Sequence, residues 1–211
     1  MADTYGPDDF AAEFAVSRET MQRLDAFDRT LLDAAERMNL VARSTLPTRW
    51  SRHFRDSAQL AALIPAEART LIDLGSGAGF PGLVLAAMFA DRELGVTLVE
   101  STKKKAAFLT AAATAMGLKG VSVEAARIET IGRRAPDVIT ARALAALPKL
   151  LELATEIAGP KTVCIFPKGQ DVDEELTHAT KYWRMSAETR ESLTQSGSKI
   201  LILRDISRKS A

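Results

Sequence analysis

The segment LIDLGSGAGFPG, residues 71–82, constrains the fold of this chain more than any other. An apolar run containing Asp73 is followed by four glycines within eight residues. A strand, a glycine-rich turn and a helix in this order typically form the ligand loop of an open parallel sheet. Glycine allows a positive φ and lets backbone N–H groups approach a ligand closely. A turn without a ligand would need only one or two glycines, so the segment favours a binding loop.

Short β-like runs alternate with helical segments after Pro65. The runs TLIDL, VTLVE, VSVE, DVIT and TVCIF are typical of strands, and GLVLAAMFA, KKKAAFLTAAATAMG and LPKLLELATEIAG are typical of helices. The alternation predicts a parallel sheet covered by helices on both faces. The tail ETRESLTQSGSKILILRDI predicts two antiparallel strands joined by a Ser/Gly turn. The predicted fold class is α/β, with a mostly parallel seven-stranded sheet that ends in an antiparallel hairpin.

The chain before Pro65 has helical signals instead. Ser17 can cap a first helix, and Pro47 suits the first turn of a second helix. Apolar residues recur along the second helix at four-residue steps from Trp50, which predicts one buried face. We therefore divide the chain into an N-terminal helical extension, residues 1–65, and an α/β domain, residues 66–211.

Composition excludes several classes of protein. The 211 residues carry a net charge of only +1, so a nucleic-acid surface has to come from local clustering of cations. The single cysteine, Cys164, leaves no internal disulfide and fits a reducing compartment. The N-terminal MADTYGPDDF is acidic and lacks the apolar core of a signal peptide. The most apolar run, LVLAAMFA, is too short to span a membrane, so we expect a cytoplasmic protein.

Two ligand classes compete for the glycine loop. The dinucleotide fingerprint GxGxxG requires a third glycine where this chain has Phe80. The spacing of Gly75, Gly77 and Gly79 after the acid instead resembles motif I of the S-adenosylmethionine-dependent methyltransferases with a Rossmann-like fold, which use such a loop for the methionine part of the cofactor. Glu100 ends the second predicted strand, where a carboxylate can accept both ribose hydroxyl protons, but both ligand classes use such an acid. The terminal hairpin is typical of the methyltransferase sheet and separates the two classes.

The methyl acceptor is narrowed by what the chain lacks. Amino-group methylation of adenine usually shows a (D/N)PP(Y/F) signature after the fourth strand, where this chain reads DVITARALAAL. Pyrimidine-carbon methylation needs a thiolate in a loop, and Cys164 lies inside a predicted strand, where a buried structural thiol is expected. Acceptors with an available lone pair remain, and guanine N7 is one of them.

Seven segments in one order carry a closer resemblance, namely ERMNL, RHFRDSAQL, DLGSGAGFPG, ESTKKKAAFL, AARIE, ARALA and FPKGQ. From about residue 36 to residue 170 the chain resembles the ribosomal small-subunit methyltransferase G family, also known as glucose-inhibited division protein B. The resemblance implies S-adenosyl-L-methionine as cofactor and methylation of guanine N7 in the 530 loop of 16S rRNA in the bacterial cytoplasm. It implies 16S rRNA or the 30S subunit as partner, with no metal and no membrane, and we expect a monomer.

The resemblance also implies roles for individual residues. The cofactor site would comprise Gly75, Ser76, Gly77, Gly79, Phe80, Glu100, Arg127, Ile128, Glu129 and Arg142. Glu100 would hold the ribose, and residues 128 and 129 would flank the adenine. Arg142, beside the methyl-transfer centre, and Lys168, facing the RNA or the target base, would be the catalytic residues.

Local charge adds candidates for the rRNA surface. The helix around residue 50 carries a basic stripe, and a run of three lysines opens a later helix, where cations oppose the helix dipole. The predicted rRNA-binding residues are Arg49, Arg52, His53, Lys103, Lys104, Lys105 and Lys168. A solvated helix face remains the alternative for both groups. His53 has no accompanying His/Cys cluster, which argues against a metal site.

Two other functions remain open at this point. A methyltransferase of the same fold can act on a small molecule or a protein, and a basic surface across both cationic segments would argue against that. A nicotinamide-dependent oxidoreductase is disfavoured by Phe80 and by the terminal hairpin.

Overall fold

The computed structural model describes residues 5–209. Five parallel strands follow the predicted runs closely: β1 (Thr70–Leu74), β2 (Gly95–Val99), β3 (Val121–Glu124), β4 (Val138–Thr140) and β5 (Val163–Lys168). The tail forms β6 (Trp183–Glu191) and β7 (Lys199–Arg208), and β7 pairs antiparallel with both β5 and β6. The strand order is β3-β2-β1-β4-β5-β7-β6. The predicted fold class is thus confirmed.

Besides three short 3₁₀ turns at Arg43–Thr45, Ala90–Arg92 and Ile128–Thr130, seven helices accompany the sheet in the described chain. They are α1 (Pro7–Phe14), α2 (Arg18–Ala35), α3 (Trp50–Arg55, Asp56–Ala58 and Gln59–Leu63 in succession), α4 (Gly82–Met88), α5 (Lys103–Ala115), α6 (Leu147–Ile157) and α7 (Val172–Ala179). Within residues 5–209, no helix combines the length and hydropathy needed to cross a bilayer.

The strand order places a ligand site between β1 and β4. The chain proceeds from β1 outward through β2 to β3, and then returns to the other side of β1 with β4. The loops after β1 and β4 therefore diverge to opposite faces of the sheet and leave a crevice at the carboxyl ends of these strands. The glycine loop follows β1, and the ARALA segment follows β4.

The N-terminal helices pack directly against the glycine loop. Ser17 caps α2 as predicted, its side chain accepting the Thr20 N–H at 3.1 Å. Phe27 of α2 and Phe54 of α3 both contact Phe80, with ring centroids 5.0 and 5.2 Å apart. One apolar core runs from these aromatic rings to one face of the sheet, so the loop after β1 is supported by residues far away in sequence.

The helix predicted after Pro47 is present but irregular. Its first six residues, Trp50–Arg55, form a π-helical turn, and its last five, Gln59–Leu63, form a 3₁₀ turn. Periodicity alone predicted a regular helix because the apolar side chains still recur on one face. The wider first turn brings His53 and Asp56 to the cavity described below.

Candidate functional site

A cavity of about 700 Å³ opens at the carboxyl ends of the parallel strands. Its walls come from the loops after β1, β2, β3, β4 and β5, from α3, and from the turn between β6 and β7. The predicted site residues that line it are Arg52, Gly75, Ser76, Gly77, Phe80, His53, Glu100, Lys105, Arg127, Ile128, Glu129, Arg142 and Lys168. Most of the predicted site is thus brought together by the fold.

The glycine loop shapes the floor of this cavity. Gly77 has a φ of +54°, and a Cβ added there would meet nothing nearer than the Gly75 carbonyl oxygen at 3.7 Å. Gly75 has a φ of +65°, and a Cβ there would lie 2.6 Å from Leu144 Cδ1. The loop after β1 and the loop after β4 therefore touch through a glycine, which leaves room for a ligand above Gly77.

Gly79 departs from the prediction. It does not line the cavity, and a Cβ there would lie 2.6 Å from Leu83 Cδ1 and 3.1 Å from Phe27 Cζ. Its N–H donates to the Ser76 carbonyl at 2.7 Å, and its φ is +91°. Gly79 therefore serves the turn and the close packing of the loop on α2, rather than contact with a ligand.

Glu100 is held at the end of β2 by backbone donors. Its Oε2 accepts the Gly77 N–H at 3.0 Å, and its Oε1 accepts the Thr102 N–H at 2.7 Å. The side chain is buried yet lines the cavity. Each oxygen retains a further acceptor position, as a carboxylate that binds two ribose hydroxyls requires.

Asp73 lies behind the glycine loop in full burial. Its Oδ1 accepts the Thr140 hydroxyl at 2.8 Å, whereas no hydrogen bond reaches Oδ2 from any described residue. Burial raises the pKa of this carboxyl to about 6, although the nearby hydroxyls of Ser76 and Thr140 and the N–H of Gly82 oppose the rise. Sequence reasoning treated Asp73 only as part of a motif and did not foresee its contact with β4.

Arg142 is the most connected side chain of the cavity. Its Nη1 lies 3.2 Å from Asp56 Oδ2, and both terminal nitrogens lie 3.2 Å from His53 Nδ1. The guanidinium carbon lies 5.2 Å from the centre of the Phe80 ring. Arg142 was predicted as a site residue, but its partner Asp56 was not among the predicted residues. Because the partner is 86 residues away in sequence, no local pattern reveals it.

Lys168, at the end of β5, contacts the loop that follows β4. Its Nζ lies 2.6 Å from Glu175 Oε2 and donates to the Ala145 carbonyl at 3.2 Å. Glu175 in turn accepts the Leu147 N–H at 2.6 Å, at the start of α6. Lys168 reaches the cavity, and this ion pair ties its ammonium to the segment that follows Arg142.

The predicted rRNA-binding residues differ in how far their side chains are exposed to solvent. Arg52, Lys103 and Lys104 are exposed, and Lys105 reaches the cavity mouth. His53 is buried, with its pKa lowered to about 4 by burial and by the nearby charges of Arg142 and Arg52.

Arg49 departs from the predicted basic stripe. Its Nε and Nη2 donate to the two carboxylate oxygens of Asp28, at 2.5 and 2.8 Å. The bidentate pair joins α3 to α2 and raises the pKa of Arg49. Arg49 is thus committed to a structural ion pair, and an rRNA contact is not supported for it.

Cys164 is buried as predicted. Burial raises the pKa of its thiol to about 12, so it is not a nucleophile. Among residues 5–209, no group of His, Cys, Asp and Glu side chains is arranged to hold a metal ion.

The geometry fits an S-adenosyl compound on three grounds. Gly77 leaves space that a side chain would fill, Glu100 presents acceptor positions, and residues 126–129 form a wall beside it.

Comparison with known proteins identifies the family. A family model described as rRNA small subunit methyltransferase G matches residues 20–204. A ribosomal RNA small subunit methyltransferase G from Rhodospirillum centenum is 46% identical over 97% of this chain and 93% of its own length. The protein of that name from Paramagnetospirillum magneticum is 45% identical over 96% of this chain and 97% of its own length.

Solved structures agree at the level of the fold. An O-methyltransferase from Bacillus cereus in complex with SAH has a TM-score of 0.61 at 17% identity, over 94% of this chain and 96% of that chain. A SAM-dependent methyltransferase from Aquifex aeolicus has a TM-score of 0.57 at 17% identity, over 74% and 92% of the two chains. The dinucleotide alternative is therefore overturned, and S-adenosylmethionine is the cofactor that the family and the fold indicate. The chain belongs to the rRNA small subunit methyltransferase G family.

Proposed function

We propose that this protein transfers a methyl group from S-adenosylmethionine to N7 of a guanine in the 530 loop of 16S rRNA. Membership of the family supports an rRNA substrate. The observation that carries the choice of N7 is the state of the possible bases in the cavity: each is already paired, is a poor proton acceptor, or lies three strands away from β4. An acceptor that must lose a proton needs a base, and guanine N7 has a lone pair and no proton.

Five side chains that line the cavity are possible bases. The pKa of His53 is lowered to about 4, and its Nδ1 faces the Arg142 guanidinium. Asp56 is bound to Arg142, and Glu175 is bound to Lys168. Glu100 accepts two backbone N–H groups on the cofactor side of the cavity. Glu129 also lines the cavity, but it follows β3, three strands away from β4.

The chemistry then reduces to positioning. S-adenosylmethionine, when bound, supplies a methyl group on a sulfonium. The N7 lone pair forms the new C–N bond while the C–S bond breaks and its electron pair stays on sulfur, so no proton is removed. The role of the chain would be to hold the two reactants in line, which can supply a large part of the rate enhancement in such displacements.

Cofactor and acceptor would occupy different parts of the cavity. Gly75, Ser76, Gly77 and Phe80 would surround the methionine part, Glu100 would bind the ribose, and Arg127, Ile128 and Glu129 would flank the adenine. Arg142 and Lys168 would lie on the acceptor side. Arg52, Lys103 and Lys104, which are exposed, and Lys105, which lines the cavity, would meet phosphates of the rRNA. We further propose that the protein acts as a monomer in the cytoplasm.

The test is methyl transfer from labelled S-adenosylmethionine to unmethylated 30S subunits and to naked 16S rRNA. Chemical cleavage at N7-methylguanine maps the product. We expect label at one guanine of the 530 loop and none in subunits that already carry the modification. Label at another rRNA atom would overturn N7, and cofactor binding without label in either RNA would overturn the rRNA substrate.

A further inference from the structure

We propose that Asp56 and neutral His53 are positioning residues for the Arg142 guanidinium beside the methyl acceptor. Both residues hold the guanidinium in place, and Asp56 also balances its charge. The proposal rests on the function proposed above and adds to it how the acceptor side is kept in place. It is carried by the contacts of three side chains from α3 and from the loop after β4.

The Arg142 guanidinium is bound along one side. Nη1 donates to Asp56 Oδ2, to His53 Nδ1 and, at 3.4 Å, to the Arg52 carbonyl, while Nη2 donates to His53 Nδ1. Its Nε has no hydrogen bond to any residue in the range 5–209, and one N–H of Nη2 is also left over, since a guanidinium has five donors. The side chain is 19% exposed and lines the cavity, so these donors remain for a substrate oxygen or nitrogen.

The hydrogen bonds around His53 assign its tautomer. The Thr45 hydroxyl donates to the Ala42 carbonyl at 2.7 Å, and Thr45 Oγ1 also lies 2.8 Å from His53 Nε2. We assign the hydroxyl proton to the Ala42 carbonyl, so that Nε2 carries the ring proton and donates to Thr45. Nδ1 is then unprotonated, and its lone pair accepts from Arg142. A second ring proton would point at the guanidinium, so His53 serves as a neutral acceptor.

Asp56 connects Arg142 to the far end of the sheet. Its Oδ1 accepts the Thr194 hydroxyl at 2.7 Å and the Gln59 side-chain amide at 2.9 Å. Gln59 in turn accepts the Leu193 N–H at 2.8 Å. The turn between β6 and β7 is thereby fastened to α3, and one carboxylate links it to the arginine that follows β4.

Backbone geometry shows that this arrangement is maintained against local preference. His53 lies within a π-helical turn, a conformation that is rare and often found at functional sites. Ala143, directly after Arg142, has a φ of +52°, in the left-handed region that is unfavourable for a residue with a Cβ. Both features bring Arg142, His53 and Asp56 together.

The charge of the product explains why a carboxylate is needed. Methylation at N7 leaves the guanine with a positive charge, which an unpaired guanidinium nearby would disfavour. Asp56 and Arg142, 3.2 Å apart, together carry no net charge. The pair can therefore donate hydrogen bonds to the acceptor without opposing the charge that develops on it.

A double-mutant cycle tests the proposal. Asp56→Asn keeps the shape of the side chain but removes its charge, and Arg142→Gln removes the group it positions. We expect Asp56→Asn to lower kcat for 30S methylation about 10- to 30-fold. The cofactor Kd should stay within about twofold, and Asp56→Glu should recover part of the rate. In the Arg142→Gln background, Asp56→Asn should change kcat less than about twofold, because its effect passes through the arginine.

Glu13→Gln is the matched control. Glu13 forms a carboxylate–arginine pair with Arg55 at 2.8 Å in the same helical part of the chain and does not line the cavity. We expect it to leave kcat unchanged. Equal losses of kcat from Asp56→Asn with and without Arg142, or an unchanged kcat, would overturn the proposal. If Asp56→Asn does not fold, Thr194→Val enters the same cycle, with an expected loss of about threefold that disappears without Arg142.

A substrate-independent readout separates the two proposals. Nitrogen-15 NMR of labelled histidine in the wild-type protein should show His53 as the neutral Nε2–H tautomer at pH 7, with its signal assigned by its loss in His53→Gln. A doubly protonated ring or the Nδ1–H tautomer would overturn the positioning network, whatever the substrate. The predicted tautomer without any 30S methylation by the wild type would instead overturn the proposed function.

Discussion

The two ends of the β1–β4 strand pair each hold an aspartate, and the pKa values of these two aspartates are shifted in opposite directions. At the amino end, Asp137 Oδ2 accepts the Arg69 N–H, the Thr70 N–H and the Thr70 hydroxyl, each at 2.9 Å. These donors lower the pKa of Asp137. At the carboxyl end, Asp73 is more deeply buried, accepts the Thr140 hydroxyl, and has its pKa raised to about 6.

The difference shows which end is built for stability and which for binding. Donors at the amino end already satisfy the ionised carboxylate, so nothing further is needed there. At the carboxyl end an unpaired oxygen, left-handed backbone and open space above the glycine loop coexist. Such costs are common where a fold prepares a ligand site.

The largest effect is expected from filling a glycine at the carboxyl end. A Cβ at Gly82 would lie 2.3 Å from Leu98 Cδ2 and 2.9 Å from Asp73 Oδ2. We expect Gly82→Ala to lower the free energy of unfolding by about 3 kcal/mol in urea denaturation, because the site is overpacked. Gly117, at the amino end, has nothing within 4 Å, so Gly117→Ala should cost only about 1 kcal/mol for its φ of +66°. Equal losses would break the comparison.

The aspartates should give opposite pH dependences. Because the pKa of Asp73 is raised in the folded protein, the carboxyl loses its proton at a lower pH in the unfolded chain than in the folded one. Its contribution to stability therefore falls as the pH rises through about 4 to 6. Asp73→Asn should therefore gain about 2 kcal/mol relative to wild type between about pH 4.5 and pH 7.5. Urea denaturation at several pH values measures this difference.

Asp137→Asn is the paired control for that titration. The lowered pKa of Asp137 means that its contribution is present above the unfolded pKa and is lost as pH falls through the folded pKa. Relative to wild type, Asp137→Asn should thus become less stable as pH rises through the acid range. The same sign for both variants would contradict the assignment of the two carboxylates.

The affinity for the cofactor should depend only on residues at the carboxyl ends of the strands, such as Glu100. Glu100→Gln replaces one acceptor oxygen with an amide that faces the N–H of Gly77 or Thr102. We expect the Kd for S-adenosylmethionine to rise about tenfold in titration calorimetry, which corresponds to ~1.4 kcal/mol. Asp137→Asn should leave the Kd unchanged. A loss of affinity in both variants would indicate a general effect on folding.

The smallest effect concerns two alanines that flank β4. Ala135 precedes the strand and Ala143 follows it, with φ values of +50° and +52°. Replacing either by glycine removes strain but adds freedom to the unfolded chain, so we expect a gain in stability of about 0.5 kcal/mol for each. Thermal unfolding with methylation assays compares them. Only Ala143→Gly should lower methylation, since it loosens the loop that holds Arg142; loss in Ala135→Gly instead would reverse the comparison.

Local sequence was sufficient for the elements and for much of the cavity. The strands lie where alternating and apolar runs predicted them, because a buried parallel strand has a continuous apolar signature. The glycine loop and Glu100 were found because each lies next to a strand end, which the pattern itself marks. The packing of Gly79 against Phe27 and the ion pair of Arg49 with Asp28 could not be predicted, since these two neighbours belong to a separate helix.

By itself, the sequence determined the α/β class, the antiparallel hairpin and the glycine loop that lines the cavity, since these depend on residues a few positions apart. Only the tertiary structure decided which charges are free and which are paired. Arg142 meets Asp56 across 86 positions, and Asp56 meets Thr194 across 138. A hydrogen bond depends on distance in space, and no periodicity along the chain encodes that distance when the partners lie on different elements.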